Sequence, residues 1–139
     1  MDIEAFVNYC KEQGLSVEIS ELEMGFREKS HISIFDLPNG IRIDLSGVYT
    51  PWDESVVEDA EEFEYENTII RIAKPEYLIA NKLYKGGELD FEDALSVYVQ
   101  NRDRIDQKLL QDLAKQLEVE DSLETFLRKI TELRNENGR

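Results

Sequence analysis

Between Thr68 and Asp93 the chain passes from a β-branched run, TIIRIA, into a helix that Pro75 can start, and then across Gly86-Gly87 into a second helical segment. A proline suits the first helical turn because the amide it lacks would have no partner there. Strands must therefore lie before this point and helices after it. That order points to an α+β chain: a small mixed sheet of hairpins followed by a helical C-terminal half.

The segments on either side fit that division. His31 to Leu37 and Ile41 to Tyr49 alternate apolar and polar residues around Pro38-Asn39-Gly40, a tip whose Asn and Gly tolerate positive φ, and they read as a β-hairpin. Phe63 to Tyr65 and Thr68 to Ala73 read as a second hairpin turning at Glu66-Asn67. Upstream, Asp2 can cap a short helix bearing Ile3, Phe6, Val7 and Cys10 on one face, with Gly14 as its stop. Leu15 to Ile19 then alternates as a strand does, and Glu21 to Glu28 reads as a weakly helical connector. Downstream, Phe91 to Gln100 is helical with Asp90 as its N-cap. Ile105, Leu109, Leu110, Leu113 and Leu117 form one stripe at 3.6-residue spacing, and Leu123, Phe126, Leu127, Ile130 and Leu133 form another. The polar tail Asn135 to Arg139 is expected to fray. At 139 residues the economical reading is a single domain over 1–139, with a hairpin part (1–74) and a helical part (75–139).

Charge narrows the choice of partners. With 31 acidic and 16 basic side chains the formal charge is −15, which repels nucleic-acid backbones and anionic membranes at long range. Free nucleic acid and membranes are not expected partners. Cys10 is the only cysteine, so no intramolecular disulfide or CxxC metal site exists, and it reads as a small buried apolar group. No apolar run approaches the ~20 residues that span a bilayer, and the acidic first segment is unlike a secretory signal. A cytoplasmic location is the resulting expectation.

Four residues could carry chemistry. Asp44 interrupts the apolar run IRIDL, where Ile43 and Leu45 share one face and Arg42 and Asp44 the other. It reads as a solvated acid paired with Arg42, or as a metal ligand or general base held by a rigid strand. Lys82 lies on the side of Leu78 and near Ile79, which turns it toward the core. From there it can form an ion pair with Asp93 or contact a phosphate. Asp90 and Asp93, three apart, put one acid at the helix cap and one a turn further in. His31, the only histidine, reads as structural, and Asp53, Glu54, Glu58 and Asp59 read as a solvated acidic surface.

The order IRIDL, then IIRIAKPEYLIANKLYKG, then LDFEDA resembles the later portion of minimal nucleotidyltransferases of the polymerase-β-like superfamily, close to the abortive-infection and toxin–antitoxin-associated branch. The resemblance runs from about Val17 to Val99 and is strongest over Ile72 to Asp93. It implies that Asp44 is the third metal-binding, catalytic carboxylate. It also implies that Lys82, Asp90 and Asp93 belong to the nucleotide site, with Mg²⁺ as cofactor and ATP or another nucleotide as partner. The Gly-Ser pair and DxD strand that open active members have no counterpart before Asp44, since Glu18 and Glu21 lack the alternate spacing. Two-metal phosphoryl transfer needs carboxylates on both ions. The expectation is therefore a catalytically degenerate nucleotidyltransferase-like protein or an incomplete fragment, with nucleotide binding retained. The alternative is a non-enzymatic dimeric interaction protein, such as a toxin–antitoxin-type subunit, that forms a homo-oligomer through an exposed strand edge.

Overall fold

The structure, a computed structural model, describes residues 2–137, with side chains to residue 135. Its contacts divide the chain into two compact units, Met1–Glu54 and Ser55–Arg139, so the second hairpin groups with the helices rather than with the first hairpin. The single mixed sheet expected from the sequence is two separate sheets, each wholly antiparallel: one of three strands and one of two.

In the first unit α1 (Ile3–Glu12) begins at Asp2, whose carboxylate accepts from the Ala5 amide, and Gly14 follows it at φ +78°. The strand expected over Leu15 to Ile19 shortens to β1 (Leu15–Ser16), because Ile19 already opens a helix, α2 (Ile19–Arg27). β2 (Ile32–Asp36) and β3 (Ile41–Leu45) form the hairpin predicted around Pro38-Asn39-Gly40, in the order β1-β2-β3, with Ile34 opposite Ile43 and Ser33 opposite Asp44. Val7, Cys10, Val17, Leu22, Ile32 and Ile34 form the core under α1 and α2. That cover stops short of the outer strand, leaving Ile41 and Ile43 exposed although they share the core-facing side.

The division between units falls within α3 (Pro51–Glu58), in a stretch the sequence leaves open between surface loop and short helix. Its start is a capping box. The Asp53 amide donates to the Thr50 hydroxyl, and the Thr50 amide donates to the Asp53 carboxylate. Burial opposes ionisation of Asp53, but hydrogen bonds from the Thr50 hydroxyl and the Tyr49 and Thr50 amides hold it below the usual carboxylate range.

The second unit opens with β4 (Glu61–Tyr65) and β5 (Thr68–Ile72), joined by Glu66 and Asn67 at φ +45° and +62°. Four helices follow, as the apolar stripes predict: α4 (Pro75–Lys85), α5 (Glu88–Asn101), α6 (Gln107–Gln116) and α7 (Glu120–Asn137). Their core is built from Ile79, Leu83, Ala94, Leu110, Leu113, Leu123 and Ile130 around Phe126, which Phe91 and Tyr98 meet edge-on. Among the tail residues, Asn135 to Asn137 continue α7, and 138–139 lie outside the described residues. No described helix is long and apolar enough to cross a membrane.

Candidate functional site

Lys82 leaves the last turn of α4 and meets two acids of α5. Its Nζ is 2.6 Å from Asp93 Oδ2 and 3.2 Å from Asp90 Oδ1. Geometry in the linking turn makes this possible. Gly86 ends α4 in the left-handed region at φ +72°, where its amide donates to the Lys82 carbonyl, and Gly87 then turns back to an extended backbone. The three charged residues singled out in this stretch are thus brought together, with the lysine about one-third exposed. Hydrogen bonds to Asp93 first and Asp90 second raise the Lys82 pKa above its ordinary value, against a smaller opposing cost of burial.

Two expectations about this cluster need correction. Asp90 is not the N-cap: α5 starts at Glu88 with Gly87 in the cap position, and the Phe91 amide donates to the Gly87 carbonyl. Asp90 sits instead within the first turn, where an acid suits the positive end of the helix dipole. Lys82 does not share a buried face with Leu78, which is exposed; the core face of α4 is Ile79, Ala80 and Leu83.

Asp44 lies in the first unit, on the exposed face of β3. Its Oδ1 accepts from the Ser33 hydroxyl across the hairpin at 2.9 Å, and its Oδ2 pairs with Arg42 at 3.0 Å. No second acid joins it, and among the described residues no group of three or more His, Cys, Asp or Glu gathers in a way that could hold a metal ion. Magnesium in phosphoryl-transfer sites needs carboxylates beside substrate phosphates, and a pair of ions needs several. A single carboxylate already shared between a hydroxyl and a guanidinium does not fit that centre.

Other polar contacts were not anticipated. Glu76, buried in α4, accepts from the Asp106 amide at 2.6 Å and so holds the start of α6. Tyr77 donates to Asp59 at 2.9 Å, and its pKa is pushed up to about 12 by burial, by that hydrogen bond and by the charges of Asp59 and Glu58. Both residues lie in the PEY that opens α4, yet no periodicity marks a buried glutamate. Beside Lys82 a shallow concavity is lined by Leu83, Gly86, Gly87, Phe91, Ser122 and Thr125.

The chain matches no known family profile, no curated protein and no solved structure. What the site can do therefore rests on its own chemistry.

Proposed function

We propose that this chain is a non-enzymatic interaction protein on a nucleotidyltransferase-like frame, of the kind a toxin–antitoxin-type pair would use in the cytosol. One observation carries the reading. Lys82, the cation the resemblance assigns to a nucleotide, is already matched by two carboxylates. Lysine with Asp90 and Asp93 sums to one negative charge, which repels phosphate. Asp44, as the third metal acid, would hold Mg²⁺ alone and would first have to release Arg42. Meanwhile both hairpins leave large apolar side chains uncovered: Ile41 and Ile43 in one, Phe63, Tyr65, Ile69, Ile70 and Ile72 in the other.

Isothermal titration with ATP and Mg²⁺, run beside a nucleotide-transfer assay, tests this reading. The expected result is neither binding heat nor product, and turnover of ATP would sink the proposal. The second reading, retained nucleotide binding, is favoured by the concavity beside Lys82. It adjoins the start of α5, where Gly87 supplies no side-chain cap and two hydroxyl residues, Ser122 and Thr125, contribute to the lining. On that reading Lys82→Met abolishes an ATP signal that the unaltered protein shows.

A further inference from the structure

The β4–β5 hairpin has two free edges of opposite character. β4 carries Glu61, Glu62 and Glu64 within five residues, whereas β5 has no acid and Arg71 as its one charge. Opposed residues share a face, so the register puts Phe63, Tyr65, Ile70 and Ile72 with Glu61 and Thr68 on one side. Glu62, Glu64, Ile69 and Arg71 lie on the other. On the first side Phe63, Ile70, Ile72 and Tyr65 are 37%, 39%, 46% and 64% exposed. The two strands pack mainly on each other; beyond the hairpin, Arg104 pairs with Glu61 and lies over the Phe63 ring, and the Arg71 guanidinium donates to the Glu58 carbonyl at 3.1 Å. A lone two-stranded hairpin is marginal in water, and further strands stabilise it.

We propose that a second copy of this chain completes this sheet, the two β5 strands pairing antiparallel about a two-fold axis at Ile70. The inference rests on the interaction reading above and supplies its partner. In this register Ile70 faces the partner's Ile70, Ile69 faces the partner's Arg71, and Thr68 faces the partner's Ile72. One side of the four-stranded sheet then carries an apolar row: Phe63, Ile70, the partner's Ile70, the partner's Phe63. The other side carries Glu64, Ile69, the partner's Arg71 and the partner's Glu62 in sequence. Glu64 forms no ion pair among the described residues. With strands about 4.8 Å apart, the incoming guanidinium reaches across Ile69 to it once it leaves the Glu58 carbonyl of its own chain.

Charge disfavours the other pairings. Two β4 strands paired about Phe63 would set Glu62 opposite the partner's Glu64 twice over, and like charges directly opposed destabilise a ladder. A β4 edge against a β5 edge is head-to-tail, so it does not close on itself. Pairing through β5 alone is both closed and free of opposed acids.

Cross-linking and sedimentation of the full chain test the register. Cys10 is buried, so a thiol introduced on the hairpin is the accessible one. Under mild oxidation Ile70→Cys is expected to yield a covalent dimer, while Phe63→Cys stays unlinked. Linking through position 63, or at neither position, overturns the assignment to β5. In sedimentation at micromolar concentration the unaltered chain is expected to be dimeric, and a strict monomer overturns the inference. Glu64→Lys, which sets like charges together, is expected to weaken the dimer about five-fold. Glu124→Lys on α7 makes the same change in net charge and is expected not to weaken it. Equal effects of the two lysines overturn the proposed contact. Each of these failures leaves the interaction reading standing, because that reading is tested separately, by nucleotide binding and turnover.

Discussion

Lys82 fastens α4 to α5 across the Gly86-Gly87 turn, and its effect on stability has a definite sign with pH. Its pKa is raised in the folded protein, so the contribution is complete below the ordinary lysine value of 10.5 and is lost as pH rises through the higher folded value. Because Asp93 is largely exposed, the pair is worth no more than an ordinary surface pair with one extra partner, about 0.5–1 kcal/mol. Lys82→Met is expected to lower urea-unfolding stability by that amount at pH 7 to 9, with the gap to the unaltered protein closing above about pH 10.5. A gap that persisted unchanged into strong alkali would mean that packing of the lysine stem, not its charge, does the holding. This trio was legible in the sequence because its members lie within twelve positions, on either side of a glycine turn. Glu76 was not, since its burial depends on an amide thirty residues away at the start of α6. Asp44 was legible only as an alternative. The register pairs it with Ser33 and leaves Arg42 beside it, the ion-paired arrangement that was one of its two readings.

Among the elements, both hairpins and the four C-terminal helices follow from alternation, turn residues and 3.6-residue stripes. The misses have local causes. α2 begins at Ile19 because Glu18 takes the cap position in an extended conformation without a side-chain hydrogen bond, so no serine, threonine or aspartate announces it. α3 did carry its signal, since Thr50-Pro51-Trp52-Asp53 is a capping box with proline inside, although it reads equally as a strand break. Alternation shows that a strand is half-buried, but not which strand it pairs with, so a single sheet could not be told from two. The β4–β5 turn shows what such a hairpin tolerates: Glu66 and Asn67 both hold the left-handed backbone, and of the two only Asn suits it. Replacing Glu66 with Asn and Asn67 with Gly restores the preferred turn chemistry. The pair of substitutions is expected to stabilise the second unit by about 1 kcal/mol and to slow amide exchange in β4 and β5. Unchanged exchange there would show that the turn does not limit opening of the hairpin.

At the scale of the whole molecule, the excess of acid opposes both compactness and association. Surface pairs such as Lys108–Asp112 and Lys82–Asp93 recover little of this, because water and salt screen them. The formal charge of −15, by contrast, acts between all its members at once at low ionic strength. Raising sodium chloride from about 0.01 M to about 0.1 M shortens the screening length from about 30 Å to about 10 Å. That range weakens repulsion among distant acids far more than it weakens ion pairs in contact. The thermal midpoint is therefore expected to rise by several degrees over this interval, and self-association to tighten with it, since two copies bring twice the charge together. Salt-independent melting would mean that the acids are spaced widely enough around the surface not to feel one another. A midpoint that fell with salt would give the ion pairs the larger share, and would make Lys82, Lys108 and Arg104, which pairs with Glu61, the residues on which stability turns. Association need not follow stability in that case. In the proposed dimer the apolar row at Ile70 would be indifferent to screening, whereas the contact between Glu64 and the partner's Arg71 would weaken with salt. A dimer that tightens with added salt is therefore held chiefly by the isoleucines, with the acids deciding which edge they use.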